Sequence, residues 1–168
     1  MEPAWLELAR KEIGTKELPG DPDNPKIIKY WLDAGLGNAS GGNDEVPWCA
    51  AFVGAMLGRS GQTGSLKANA RSYEAWGASI TSPVLGCVVV FSRPPTAWQG
   101  HVAFYLGTDR ARRTVQVIGG NQSDSVSISS FSMDRVVAYR WPASLLIRPE
   151  WVGPLPVASS APLSASEA

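Results

Sequence analysis

Apolar residues recur at helical spacing through the first part of the chain, then switch to short β-rich runs. Trp5, Leu8, Ala9 and Ile13 lie on one helical face, Pro3 suits a first turn, Glu7 and Lys11 form an i,i+4 pair, and Gly14 is a stop signal. Asn24 before Pro25 is a cap followed by a first-turn proline. Ile27, Ile28, Trp31 and Leu32 supply the apolar stripe of this second helix, which Gly35 closes. A third helix opens at Cys49 with Phe52, Val53, Met56 and Leu57 on one face. Small residues fill its other sides (Ala51, Gly54, Ala55, Gly58), so neighbouring elements can approach closely and this helix is expected to be the most buried. Ser65 is a candidate cap for a short fourth helix running through Tyr73 and Trp76 to Gly77. The proline-rich ELPGDPDNP joins the first two helices, and the glycine-rich GLGNASGGNDEVP leads to Cys49 as a candidate cleft wall.

From residue 84 onward, VLGCVVVFSR, HVAFYLG, TVQVIGG, SVSISSF and RVVAYRW read as strands, spaced for hairpins rather than helical crossovers. Helices segregated before strands predict an α+β domain over residues 1–145, its N-terminal helices packed on a C-terminal antiparallel sheet of about five strands. A hairpin symmetric about residue 111 would set Leu106 against Gln116 and His101 against Asn121; a one-residue slip would turn one side chain of each pair to the opposite face. After Trp141 the composition shifts to Pro, Ala and Ser. Residues 146–168 are expected to form a tail, mobile beyond about residue 157.

Composition and charge remove several function classes. With 168 residues, 44% apolar and 18% charged, the chain has enough material for one core. A formal net charge of zero gives no footprint for nucleic acid or an anionic membrane, and Arg110, Arg112 and Arg113 read as a solvated turn. The longest purely apolar run, residues 87–91, is far short of the roughly 20 residues of a membrane span. Glu2, Glu7, Arg10, Lys11 and Glu12 interrupt the N-terminus, so no export signal and cytoplasmic synthesis are expected. Two cysteines and one histidine predict no metal site and no cofactor, and reduced thiols are expected. A monomer is the expected state.

Candidate chemistry centres on three residues. A free thiol has a pKa of about 8.5, and a helix N-terminus or a neighbouring imidazolium lowers it, so a cysteine opening a helix is a candidate nucleophile. Cys49 has that position; His101, the only histidine, starts a strand. An amide oxygen that accepts the second N–H of an imidazole fixes its tautomer, and Asn121 after Gly119 and Gly120 is placed to supply one. Each residue alone is as readily structural: a packed thiol, a strand histidine, a turn asparagine. Cys87, inside an apolar run, reads as core or strand surface, and a Cys49–Cys87 disulfide would consume the nucleophile.

At these residues the chain resembles a known family. DEVPWCAAFVGAML, GCVVVFSR, GHVAFYLG and VIGGNQSDSVSIS are similar to papain-like peptidoglycan hydrolases of the CHAP type (cysteine, histidine-dependent amidohydrolases/peptidases), related to NlpC-type enzymes. The similarity is closest to a small subgroup in phage and bacterial genomes and covers roughly residues 5–141. It implies Cys49 as nucleophile, His101 as general base and then acid, Asn121 as the orienting group, and amide hydrolysis in peptidoglycan. Asp44, Glu45, Trp48 and Trp98 are candidate substrate contacts. Two departures stand out: Cys87 follows Gly86 where family members commonly carry an aspartate, and Gly119 stands where many carry an acid two residues before the Asn. With no carboxylate there, orientation of His101 is expected to rest on Asn121 alone. Delivery to the wall would need release or a helper such as a holin, a virion or a secretion machine. Two rivals are a non-catalytic wall-binding or assembly protein using tryptophans as sugar platforms, and a thiol acyltransferase on the same fold.

Overall fold

The computed structural model describes residues 1–20 and 22–153. Three helices, α1 (Ala4–Lys11), α2 (Pro25–Asp33) and α3 (Cys49–Arg59), precede six strands: β1 (Ala78–Ser79), β2 (Val88–Arg93), β3 (Thr96–Asp109), β4 (Thr114–Gln122), β5 (Ser125–Ser132) and β6 (Val136–Trp141). The strands form one antiparallel sheet in the order β1-β6-β2-β3-β4-β5. This is the α+β arrangement expected, with one strand more. The two-residue β1, which pairs with the outer edge of β6, is too short to leave a hydrophobic pattern.

The helices follow their sequence signals with two adjustments. In α2 the Asn24 side chain accepts the Lys26 N–H at 2.9 Å and Pro25 occupies the first position. α1 stops at Lys11, earlier than Ile13, because the chain beyond it is drawn to the sheet: Gly14 N–H donates to Val126 O and Lys16 bridges Ser125. Ile13 is left exposed. The expected fourth helix is a 3₁₀ segment, Ala70–Ala75, and Ser65 does not cap it; its Oγ pairs with Ser72 Oγ at 2.7 Å.

α3 is buried from Cys49 through Leu57, which matches a helix apolar on nearly every side. Its small residues admit α2: a Cβ at Gly58 would lie 2.5 Å from Asp33 O. On the sheet side Phe52 meets Phe104 of β3, ring centroids 6.5 Å apart. His101, three residues earlier on β3, instead stacks with Phe91 of β2 and Phe131 of β5, at 6.1 and 5.0 Å. Phe91 and Phe131 also touch at 4.9 Å although β3 and β4 lie between their strands, so the sheet must curl to bring them together.

The β3–β4 hairpin keeps the expected register at Tyr105–Val117 and Phe104–Ile118. At its outer end a bulge displaces Leu106, so Gly107 faces Gln116. The ladder ends at Phe104–Ile118, and His101 and Asn121 are not a paired rung of it. β6 returns beside β2, after the 3₁₀ turn Met133–Arg135, and packing continues beyond residue 145: Trp151 is buried, its indole donating to Met1 O at 2.7 Å and its ring against Trp141. The expectation of mobility beyond residue 157 lies outside the described residues.

β4 reaches α3 through a residue without a side chain. A Cβ on Gly120 would lie 2.6 Å from the Trp48 ring and 2.7 Å from Phe52 Cβ. Gly120→Ala is therefore expected to lower stability by about 2 kcal/mol, read as a lower midpoint of urea unfolding with unchanged slope; an unshifted midpoint would contradict this packing.

Candidate active site

The loop before α3 is fixed by a buried carboxylate. Asp44 is fully buried, and its Oδ2 accepts N–H groups from Leu18 at 3.0 Å and Asn24 at 2.7 Å; its own N–H donates to Asp23 Oδ1 at 3.1 Å. This sews the glycine-rich loop to the turn between α1 and α2. Asp44 is thus a structural anchor through Oδ2, while its Oδ1 has no hydrogen-bond partner among the described residues; its complete burial counts against a direct contact with substrate. Burial counts against a direct substrate contact at Trp48 as well. Its ring is fully buried against Tyr30, and its indole N–H donates to Glu17 at 2.8 Å. Burial pushes the Glu17 carboxyl above its usual range, against the Trp48 bond, with Asp124, Asp44 and Glu45 adding to the rise.

Two of the substrate-contact candidates keep accessible side chains. Glu45 is exposed, and Trp98 is 72% exposed on the outer part of β3. The Arg71 guanidinium donates to the carbonyls of Ala97 at 3.0 Å and Gln99 at 3.4 Å, holding the backbone on both sides of Trp98.

Cys49 is the first residue of α3, 8% exposed and reduced. The Tyr73 hydroxyl is pushed up to about 12, chiefly by burial; bonds from Ser65 oppose the rise and the charge of Cys49 adds to it. Cys87 has a different environment. It is fully buried just ahead of β2, and burial pushes its thiol up to about 12. It is a core residue, and no disulfide joins it to Cys49.

The end of β4 packs against the opening of α3 and also contacts His101. Gly120 lies against Trp48 and Phe52, which bracket Cys49 in sequence, while Gln122 Oε1 lies 2.9 Å from His101 Nε2. His101 is fully buried. Asn121, between them, is 1% exposed with φ of 57°, and its Oδ1 has no hydrogen-bond partner among the described residues. The amide that holds His101 is therefore Gln122's, where the sequence pointed to Asn121.

The reason is a bulge. On the β5 side Gly119 faces Ser127 and Gln122 faces Ser125, so Gly120 and Asn121 together oppose Val126. One extra residue reverses the alternation and turns Gln122 to the side of Gly119. The run GGNQSDS carries the signal, glycines and an asparagine tolerant of positive φ ahead of a tight turn, but a bulge's position is not legible from it.

An α+β frame with a thiol opening a buried helix and an amide-held imidazole on the adjoining strands is an arrangement consistent with papain-like domains. Residues 41–121 match the CHAP domain family, a span that contains Cys49 and His101 and stops one residue before Gln122. Over that span the match supports the resemblance to CHAP domains drawn from the sequence, and such domains are typically cysteine, histidine-dependent amidohydrolases. No curated protein matches the chain.

The raised Cys87 pKa has a consequence for stability. The folded protein keeps this proton up to about pH 12, whereas an unfolded thiol loses it near pH 8.5. Its contribution is present below about pH 8.5 and is lost as pH rises from there toward 12, roughly 2 kcal/mol by pH 10. Cys87→Ala should flatten the decline in unfolding free energy between about pH 8.5 and 10.5. A slope as steep as the parent's would mean the thiol is not buried as described.

Proposed function

We propose that the chain is a cysteine hydrolase that cleaves amide bonds of peptidoglycan, as an endopeptidase of stem peptides or cross-links or as an N-acetylmuramoyl-L-alanine amidase. What supports this most is the CHAP match spanning a cysteine that opens a buried helix, with the strand end that packs on that helix also holding the only histidine. His101 takes the Cys49 proton, and the Cys49 sulfur attacks the amide carbonyl. Backbone N–H groups at the opening of α3, the part of a helix whose donors lack intrahelical partners, stabilise the developing oxyanion. The C–N bond breaks as His101 protonates the leaving amine, and a water deprotonated by His101 then releases the acyl group and restores the thiol.

Trp98 is the aromatic surface this reading assigns to substrate, a ring on which a sugar face of the glycan would stack, with Glu45 as a polar contact. The rival reading as a wall-binding protein loses Trp48, one of its two platforms, to the core. The substrate places the protein's action at the cell wall, after cytoplasmic synthesis and either release at lysis or delivery by a helper. The reaction as written draws on residues of one chain, and a monomer is the state we propose.

Cys49→Ala and His101→Ala should each reduce release of amino groups from purified peptidoglycan by at least about a thousandfold while circular dichroism stays that of the parent. Full activity in either variant would reject the assignment. Mass spectrometry of the released muropeptides identifies the bond, with a new N-terminus within the stem or cross-link for an endopeptidase and a free lactyl carboxyl for an amidase. Trp98→Ala should raise KM several-fold with kcat within about twofold; a drop in kcat at constant KM would remove Trp98 from the substrate surface.

A further inference from the structure

We propose that Gln122, and not Asn121, is the positioning residue that fixes the tautomer of His101, making Nε2 the protonated nitrogen and Nδ1 the base. The proposal rests on the reading of His101 as general base and adds the device that readies it. The orientation of the Gln122 amide follows from its other partner. Its nitrogen donates to the Ser127 carbonyl oxygen at 2.7 Å and lies 3.1 Å from Ser127 Oγ. A backbone carbonyl only accepts, so the NH₂ end must face Ser127 and the carbonyl end must face His101. An unprotonated Nε2 at 2.9 Å from that oxygen would set two acceptors against each other in a fully buried place. Nε2 therefore carries hydrogen in the neutral ring as well as in the imidazolium, and the proton that comes and goes does so at Nδ1.

Three features admit this amide. Gly119 carries no side chain where a Cβ would lie 2.6 Å from Gln122 Oε1 and 2.8 Å from Ala103 Cβ. The bulge at Gly120 and Asn121 turns Gln122 toward His101. The two-residue turn Ser123–Asp124, with φ of 50° and 60°, returns β5 tightly enough to bring Ser127 under the amide. The imidazole plane is held by Phe91 and Phe131. Gln122 thus fills the space left by the missing side chain at 119, and a neutral amide stands where the family resemblance leads one to expect a carboxylate.

The single histidine makes the test direct, because a long-range ¹H–¹⁵N spectrum of the full chain shows only one imidazole. In the parent above the imidazole pKa, Nε2 is expected at the shift of a protonated ring nitrogen and Nδ1 at that of a bare one. Gln122→Met, similar in volume but unable to accept, should move both shifts toward a tautomer mixture and lower kcat at least tenfold with KM within about threefold. Gln122→Glu, which keeps an acceptor, should restore the parent pattern and most of kcat. Asn121→Ala should leave the ring shifts in place. A parent ring protonated at Nδ1 would overturn the proposal, as would unchanged shifts in Gln122→Met or a tautomer change in Asn121→Ala alone. The spectra do not depend on turnover. Inactivity of the parent on peptidoglycan would therefore reject the proposed function, and the ring shifts would still judge Gln122.

Discussion

The close approach of β4 to the start of α3 is the contact on which the rest of the site depends. Gly120 lies under the Trp48 ring and Phe52 Cβ with no room for a methyl group. Because Cys49 lies between those two aromatic residues in sequence, the contact fixes the helix opening relative to the strand end that holds His101. Interiors packed at the density of organic crystals transmit a displacement of even one methylene, so a side chain at position 120 would disturb the relation between thiol and imidazole as well as the core.

The same strand end does a second task through its bulge. A regular β4 would turn Gly120 and Gln122 to one face, toward the helix. With one residue inserted, Gly120 keeps the helix contact while Gln122 turns to His101. Gly120 and Gln122 thereby serve different partners, at the cost of a left-handed backbone at Asn121 and a buried side-chain oxygen with no partner among the described residues. Bulges beside reactive groups commonly re-aim a side chain in this way.

On the far side of Cys49 the framework is polar and internal. Asp44 gathers two N–H groups from the turn between α1 and α2, and Glu17 from that turn accepts the Trp48 indole. The glycine-rich loop is thus held by hydrogen bonds where it lacks apolar side chains to pack. An acidic pair and a tryptophan just ahead of a cysteine suggest ligand contacts on chemical type alone. Burial divides them, Asp44 and Trp48 inside, Glu45 outside.

The sequence by itself determined what depends on local periodicity and chemical type. The stripe of α2 with its Asn24 cap, the small-sided α3, the strands after residue 84 and the separation of helices from strands were all legible, because amphipathic spacing and capping act over one or two turns of chain. So were a cysteine opening a helix and a lone histidine on a strand, Cys49 and His101. Only the tertiary structure decided which residue holds the imidazole, which of the loop residues face solvent, and that the first helix ends at Lys11. The physical reason is shared: each follows from competition between segments distant in the chain. β5 draws off the backbone after α1, buried N–H groups claim Asp44, and a single inserted residue in β4 exchanges the roles of Asn121 and Gln122, because side-chain direction in a strand alternates and any local count of residues loses its meaning where the ladder shifts.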